Sequence, residues 1–483
     1  MAGVSGAGPE DGLRPLGLPH KCGVFAVYGG DDPVGLAYLA LFALQHRGQE
    51  AAGIAAANGT ELTVRRGQGL VAEALHAEDL DALRAHSPHA AIGHVRYSTT
   101  GASVLANAQP LLFHQRGGPV AIGHNGNLTN AAALRAEYEA AGSIFQTSTD
   151  TEIIAHLMAR AQVSDLRDAL LQALDRVEGA FSLVVATRDR IWICRDPHGI
   201  RPLVLGERDG ALIAASESCA LDAIGARPLR SVQPVEVAEF GPEGLRTARR
   251  APSPGGRLCL FEFVYLARPD SDLQGRNVHL VRKEMGRRLA RQAPVEADVV
   301  VGVPDSGISA AVGYAEEAGV PYELGLIKNR YVGRTFIQPG QSLRELSVRL
   351  KLNAVPAVLS GRRVVLVDDS IVRGTTARHL VRLVRRAGAR EVHLRVASPA
   401  FHHPCYYGID IPDRGALLAP GRSPRDMAAA VDADSLAFLD LAAAVEAAGG
   451  GGFCTACFSG DYPVRPAAAE SLVGAGAPGG DLG

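Results

Sequence analysis

Two adjacent carboxylates follow a strongly apolar run in the second half of the chain. Val364 to Val367 is continuously apolar, and Asp368 and Asp369 come directly after it. The sequence then continues with Ser370, Arg373, Gly374, Thr375 and Thr376. A strand that feeds a helix N-terminus offers free N–H groups and a positive dipole end to an anion, and paired Asp side chains can accept from vicinal hydroxyls or hold Mg²⁺. The pattern predicts a phosphate site, although a strand-end turn with Asp and Ser caps would look the same.

Two further segments could contribute to an anion site. Asp305, Ser306 and Gly307 follow the apolar stretch 299–303, which predicts a strand-to-helix turn. The segment 328–351 contains six basic residues and one acid, a net charge of +5 in a chain whose formal net charge is −2. It includes Lys328 and Arg330 and is broken by Gly and Pro, so we interpret it as a mobile lid over a polyanion; a solvated basic loop is the alternative.

A cysteine near the start of the chain is a candidate nucleophile. Cys22 follows a Gly/Ala/Pro-rich tail, and composition alone would make it a core thiol. Cleavage before Cys22 would place a thiol and a free α-amine on one residue, and such an amine can act as the general base for its own side chain. Four short motifs follow it in order: 45–50 (QHRGQE), 93–99 (GHVRYST), 123–128 (GHNGNL) and 148–152 (STDTE).

Composition and periodicity place these residues on two kinds of scaffold. The chain has 483 residues, 47% hydrophobic and 21% charged, which indicates a globular protein of two or three domains. The near-neutral charge argues against a nucleic-acid binder, and the sequence shows neither a secretory signal nor a membrane span, so we expect a cytoplasmic protein. Hairpin-like strand pairs before residue 240 predict α+β layers. Apolar strands alternating with helices after residue 298 predict a parallel α/β sheet.

The motifs of the first half resemble those of the class II glutamine amidotransferases. The resemblance implies an N-terminal nucleophile fold, an αββα sandwich, with Cys22 attacking the glutamine amide carbon. Asn125 and the N–H of Gly126 would form the oxyanion hole. Arg96 would bind the carboxylate of the substrate and Asp150 its α-ammonium group. The tail 1–21 would then be a propeptide.

The second half resembles the phosphoribosyltransferases, whose substrate is 5-phosphoribosyl 1-pyrophosphate (PRPP). By this resemblance Ser306, Asp368 and Asp369 would surround Mg²⁺, the two Asp residues facing the ribose hydroxyls. The residues that the resemblance implies in PRPP binding are Asp305, Ser306, Gly307, Lys328, Arg330, Asp368, Asp369, Ser370, Arg373, Gly374, Thr375 and Thr376.

Both resemblances together indicate the amidophosphoribosyltransferase family. The implied reaction converts glutamine, water and PRPP to 5-phosphoribosylamine, glutamate and pyrophosphate, the first committed step of purine synthesis. The implied domains are a glutamine amidotransferase domain at 22–245 and a phosphoribosyltransferase-like domain at 258–465. The segment 241–257, which is rich in Pro, Gly and Arg and has no periodicity, is the predicted linker. A disordered tail would follow at 466–483. A homotetramer and purine nucleotides as feedback inhibitors are further implications.

Four cysteines match the pattern of the family members that carry an iron–sulfur cluster. Cys454 and Cys457 form a CxxC pair, which alone could be a zinc half-site, a redox pair or chance. With Cys259 and Cys405, the resemblance implies a [4Fe–4S] cluster, and zinc on the same thiolates is the alternative. Cys194 and Cys219 are interpreted as buried core residues.

Two other functions remain possible at this stage. The same glutaminase domain could be joined to a sugar-isomerising domain, which the carboxylate motif at 368–376 argues against. A PRPP-sensing regulator without catalysis would not need Cys22 together with Arg96 and Asn125.

Overall fold

A computed structural model describes residues 22–97, 103–249, 253–329, 352–411 and 413–464. The predicted propeptide at 1–21, the tail at 466–483, Arg330 and most of the predicted lid lie outside these residues. No helix in the described part of the chain combines the length and the apolar character that a membrane crossing requires.

The first domain contains two antiparallel sheets that pack face to face. One has the order β11-β9-β10-β1-β4-β2-β3 and the other β13-β12-β8-β7-β6-β5. Its strands are β1 Gly23–Tyr28, β2 Ala51–Ala57, β3 Leu62–Gln68, β4 Ala90–Arg96, β5 Leu111–Gln115, β6 Gly118–Leu128, β7 Gly179–Ala186, β8 Ile191–Arg195, β9 Val204–Arg208, β10 Ala211–Ala215, β11 Arg227–Ser231, β12 Val237–Gly241 and β13 Gly244–Arg249.

Helices cover the outer face of each sheet. They are α1 Pro33–Ala43, α2 Val71–Ala74, α3 Ala77–Arg84, α4 Ala131–Ala140, α5 Thr151–Arg160, α6 Leu166–Leu174 and α7 Ser218–Ala223. Helices α1 and α7 share a buried apolar cluster with β1, and α5 and α6 share another with β6 and β7. A third cluster lies between the sheets. This arrangement confirms the predicted αββα sandwich.

The second domain is built on a parallel sheet of order β17-β20-β21-β22. Its strands and the short pairs around it are β14 Leu258–Cys259, β15 Asp272–Leu273, β16 Arg276–Asn277, β17 Val299–Gly302, β18 Leu326–Lys328, β19 Leu352–Ala354, β20 Arg363–Asp368, β21 Glu391–Val396, β22 Ser435–Phe438 and β23 Phe453–Cys454. Its α-helices are α8 Val278–Gln292, α9 Ile308–Ala318, α10 Pro356–Leu359, α11 Thr375–Arg386, α12 Pro424–Ala430, α13 Leu441–Ala447 and α14 Ala456–Ser459, and a π-helical turn spans Glu262–Leu266.

Both faces of this sheet are buried, which explains why its strands are continuously apolar. Val300 and Val365 pack with α8 and α9 on one face, whereas Val301 and Leu366 pack with α11 on the other. The predicted α/β domain is therefore confirmed.

The predicted linker at 241–257 is partly wrong. Gly244–Arg249 forms strand β13, which pairs with β12 through a tight turn at the edge of the second sheet. Arginines on this exposed edge strand hide the alternation of apolar and polar residues, so the sequence pattern does not predict a strand here. The domain boundary at 245 stays a prediction, although the sheet continues to Arg249.

A buried ion network joins the two domains; it consists of Arg47, Arg201, Glu217 and Glu262. Arg47 bonds to Glu217 within the first domain and to Glu262 of the second through Nη2 at 2.5 Å, and Arg201 Nη1 lies 3.3 Å from Glu262 Oε1. All four side chains are at most 1% exposed.

Glu217 binds both domains at once. Its Oε1 lies 2.7 Å from His46 Nε2, and its Oε2 accepts from Arg268 N at 2.8 Å and from Ser271 Oγ at 2.6 Å. Burial alone would raise the pKa of Glu217, but Arg47 and His46 outweigh it and hold that pKa well below its usual range.

We predict that Glu217→Gln destabilises the protein by about 3–5 kcal/mol at pH 7, because it leaves Arg47 without one of its buried partners. A depressed pKa contributes stability that is present above the unfolded glutamate pKa of about 4.3 and is lost as the pH falls through the folded value. Urea unfolding at pH 7 and at lower pH measures this difference, which should shrink on acidification. The control is Glu207→Gln, whose partner Arg227 is 69% exposed; an equal loss in both variants would contradict the prediction.

Candidate active site

The Cys22 thiol lies at the start of β1, beside β4. Gly23 pairs with Val95, and Cys22 Sγ donates to Tyr97 O at 3.5 Å. Burial raises the pKa of Cys22 to about 11, against the smaller opposing effects of that hydrogen bond and of Arg96. At neutral pH this thiol keeps its proton, so its use as a nucleophile requires a base within reach.

Opposite charges flank the thiol. Arg96 is 3% exposed, and its Nη1 lies 3.7 Å from Glu50 Oε2. Asp150 Oδ2 accepts from Leu128 N at 2.8 Å. Although burial raises the pKa of Asp150, the interactions with His124 and with the Leu128 amide lower it overall. A fixed cation and a fixed anion around one thiol suit a substrate that carries both a carboxylate and an ammonium group.

The side-chain amide of Asn125 is a candidate hydrogen-bond donor for a ligand. It is 0% exposed on β6, and both Nδ2 and Oδ1 lack a partner among the described residues. The next residue must be glycine, because Gly126 has φ +154° and a Cβ there would lie 1.9 Å from Ala180 O. An unpaired buried amide is costly, which indicates that its partner arrives with a ligand.

The predicted phosphate site lies where β17 and β20 end side by side. The hydroxyls of Ser306 and Ser370 both donate to the carboxylate of Asp369, which orients it, and Asp368 Oδ1 accepts from Asp369 N at 2.9 Å. Both carboxylates are nearly buried. Burial raises the pKa of Asp368 and of Asp369, and the charge of Asp369 raises that of Asp368 further. A cation placed between them would relieve this repulsion.

The loop after this pair opens a helix as predicted. Gly374 caps α11 with φ +82°, and Thr375 and Thr376 form its first turn, with the exposed Arg373 just before them. A Cβ on Gly307 would lie 2.6 Å from Val367 O, so the turn at 305–307 packs closely on β20.

Two residues predicted to bind PRPP bind each other in this structure. Lys328 Nζ donates to Asp305 Oδ2 at 2.7 Å, and both side chains are about half exposed. An exposed pair of this kind contributes little stability, so an incoming polyanion can displace Asp305 from the ammonium group at small cost.

The four cysteines of the predicted cluster converge from three segments. Cys259 pairs with Cys454 in the parallel bridge of β14 and β23, and Cys457 lies on α14. Burial raises the pKa of Cys259 to about 12 and raises that of Cys457, which the charges of the other three raise further. None of the seven cysteines forms a disulfide among the described residues.

Neither predicted metal site is confirmed. Over the described ranges, no group of three or more His, Cys, Asp or Glu side chains is arranged to hold a metal ion. The Mg²⁺ site at Ser306, Asp368 and Asp369 and the [4Fe–4S] site therefore stay predictions. Cys194 and Cys219 are buried in the first domain, as predicted.

No role was predicted from the sequence for the residues that lie between the two sites. Tyr265 stacks on Phe261 with 5.7 Å between ring centroids. Burial and then the charges of Asp369 and Asp368 raise the pKa of Tyr265, and Tyr97 adds to this effect from the other domain. A glutamate inside the apolar run 260–266 was the one available signal, because a buried carboxylate there needs a cation from elsewhere in the fold.

Comparisons with known proteins define the class of each domain. Residues 94–223 match a glutamine amidotransferase domain, and residues 276–406 match a phosphoribosyl transferase domain. The second match disfavours the sugar-isomerising alternative.

Full-length relatives then identify the family. The chain is 47% identical to amidophosphoribosyltransferase of Bacillus subtilis, with 93% of this chain and 95% of that protein covered, and 48% identical to the same enzyme of Synechococcus elongatus, with 93% of each covered. The solved B. subtilis glutamine PRPP amidotransferase, complexed with ADP and GMP, superposes with a TM-score of 0.87 over 92% of this chain and 98% of that one. The chain belongs to the amidophosphoribosyltransferase family of enzymes.

We predict that Asn125→Leu separates stability from activity. The substitution removes two unpaired buried polar atoms at similar volume, so the melting temperature should stay equal or rise. Glutamine-dependent turnover should fall about 10²–10³-fold, as for loss of an oxyanion donor. Calorimetry and glutamate release measure the two effects.

The matched control is Asn107→Leu. Asn107 is equally buried, but its Nδ2 donates to Ser148 Oγ at 2.8 Å and its Oδ1 accepts from Ser148 N at 3.1 Å. This variant should lose stability. A large drop in the melting temperature of Asn125→Leu would show that Asn125 is a structural residue instead.

Proposed function

We propose that this chain transfers the amide nitrogen of glutamine to PRPP, giving 5-phosphoribosylamine, glutamate and pyrophosphate. One observation carries the proposal: the proposed oxyanion hole of the first domain packs directly against the domain that contains the carboxylate pair. Asn127 Nδ2, next to Gly126, donates to Tyr406 O of the second domain at 2.8 Å. A Cβ on Gly408 would lie 2.8 Å from Gly126 O, so the two domains pack directly beside the proposed oxyanion hole.

In the glutaminase half-reaction, Cys22 Sγ attacks the amide carbon, the thiol proton passes to the departing nitrogen and ammonia leaves. Water then hydrolyses the γ-glutamyl thioester to give glutamate and the free thiol. Asn125 Nδ2 and the Gly126 amide would hold the oxyanion, while Arg96 and Asp150 bind the two charged groups of glutamine. The raised pKa of Cys22 makes a base necessary. Removal of residues 1–21 would free the α-amine of Cys22 for that role, because such an amine titrates near pH 8.

In the second half-reaction, ammonia attacks the anomeric carbon of PRPP and pyrophosphate leaves. Gly374, Thr375 and Thr376 open helix α11. Their backbone N–H groups and hydroxyls would bind the 5-phosphate. Asp368 and Asp369 would bind the ribose hydroxyls and, with Ser306, Mg²⁺. The metal would neutralise charge on the departing pyrophosphate. Ser370 and Arg373 belong to the loop between the carboxylate pair and helix α11. The pyrophosphate would be surrounded by Asp305, Gly307, Lys328 and Arg330.

The four convergent thiols support an iron–sulfur cluster at Cys259, Cys405, Cys454 and Cys457. A [4Fe–4S] cube takes one thiolate at each of four corners, so its ligands lie farther apart than those of a single ion. Tyr407 N donates to Cys405 Sγ at 3.4 Å, a contact that stabilises a thiolate. The cluster would tie the segment 453–457 to the start of the second domain.

Regulation and assembly follow from the family. The solved relative that contains ADP and GMP supports purine nucleotides as inhibitors of this chain. We also propose that this chain forms a homotetramer, that it is cytoplasmic and that its domains span 22–245 and 258–465.

We predict that Cys22→Ala abolishes glutamine-dependent activity and preserves amination of PRPP by ammonium salts, because the ammonia-using site lies in the other domain. Pyrophosphate release with each nitrogen donor measures the split. Cys194→Ala, which removes a buried thiol of the same domain, should preserve both activities. Loss of both in a folded Cys22→Ala protein would contradict the division of labour.

We predict that the protein purified without oxygen is brown and contains about four iron atoms per chain. Cys454→Ala should lose the iron and unfold more easily, because binding of the cluster and folding are coupled. Cys194→Ala again serves as the control and should keep the iron. Stoichiometric zinc in the wild-type protein would disprove the cluster assignment.

A further inference from the structure

A buried arginine on α8 holds the π-helical turn that lies between the two sites. Arg282 is 3% exposed. Its Nε donates to Phe263 O at 2.7 Å and its Nη2 donates to Ala267 O at 2.8 Å. The turn Glu262–Leu266 closes through Ala267 N, which donates to Glu262 O at 3.0 Å. The planar guanidinium therefore fixes two carbonyl groups of one short segment.

The side chains of this turn face opposite domains. Glu262 bonds to Arg47, whose Cδ would lie 3.4 Å from a Cβ on Gly23, directly after the nucleophile Cys22. Tyr265, three residues further on, lies close enough to Asp368 and Asp369 for their charges to raise its pKa. A displacement of the turn would therefore move both Glu262 and Tyr265 and affect both sites.

The positive charge of Arg282 interacts with carboxylates of both domains. Burial lowers the pKa of Arg282 to about 10, and Asp369 and Glu217 act against that effect. The guanidinium stays protonated at neutral pH. Carboxylates of the phosphate site and of the interdomain network therefore both act on this positive charge.

We propose that Arg282 is a positioning residue for both half-reactions, holding the turn 262–266 so that Glu262 keeps its contact with Arg47 and Tyr265 keeps its stacking on Phe261. The inference rests on the function proposed above. The forked geometry of the Arg282 guanidinium would maintain the coupling between the two sites, and its positive charge would favour the binding of PRPP.

Two substitutions separate geometry from charge. Arg282→Lys keeps the charge but cannot hold both carbonyls, and Arg282→Met loses both functions. Both variants should release glutamate in at least twofold excess over pyrophosphate, against a ratio of one for the wild-type protein. In the ammonia-dependent reaction, the KM for PRPP should rise about tenfold in Arg282→Met and less than threefold in Arg282→Lys.

The matched control is Arg395→Lys. Arg395 is also buried at 4% exposure and binds carbonyl groups, with Nε donating to Ala293 O at 2.9 Å and Nη1 donating to Leu394 O at 3.1 Å. Neither partner belongs to a proposed site, so this variant should keep a ratio of one.

The outcomes are distinct. A ratio of one in Arg282→Lys would overturn the inference, as would an equal excess in Arg395→Lys, which would reflect a general effect of losing a buried guanidinium. If Arg282→Met fails to fold, the ratio in Arg282→Lys decides alone. A wild-type protein without either half-reaction would contradict the proposed function, and this inference with it.

Discussion

The arrangement of the two domains depends on four charged side chains that no solvent reaches. Arg47 and Arg201 approach Glu262 from the first domain, and Arg47 also binds Glu217. Removing charges from water is costly, and the cost is offset only where geometry and additional hydrogen bonds are good. Glu217 meets that condition through Arg268 and Ser271. A hydrophobic interface would tolerate sliding of one domain on the other, whereas these directional contacts select a single juxtaposition.

In that juxtaposition the residues of the proposed oxyanion hole lie at the domain boundary. Strand β6 carries Asn125, Gly126 and Asn127 in succession, and the last of them binds the second domain. The residues of the proposed oxyanion hole thus adjoin a direct contact with the segment 406–408. In the proposed reaction, ammonia would be released beside the second domain and not at the outer surface of the first.

The local motifs were predictable because each is a contiguous run whose function depends on neighbouring atoms. The strand, turn and helix around Asp368 to Thr376 can be inferred from apolar continuity followed by Asp, Gly and Thr. The interdomain residues were not predictable in this way. Arg201 and Glu262 are far apart in the sequence and become partners only when the domains dock. Strand β13 was missed for a different reason, because the arginines of an exposed edge strand hide its alternation.

At Cys22 as well, the local sequence indicates the function, whereas the tertiary structure sets the protonation of the thiol. The sequence indicates a nucleophile through its motifs, but burial in the folded domain is what raises its pKa to about 11 and keeps the thiol protonated. A protonated thiol that must react at neutral pH needs a base within reach. The α-amine of the same residue is the one base whose distance from the sulfur is set by covalent geometry rather than by packing. The proposed cleavage before Cys22 would therefore supply, by liberating that amine, the base that this protonated thiol requires.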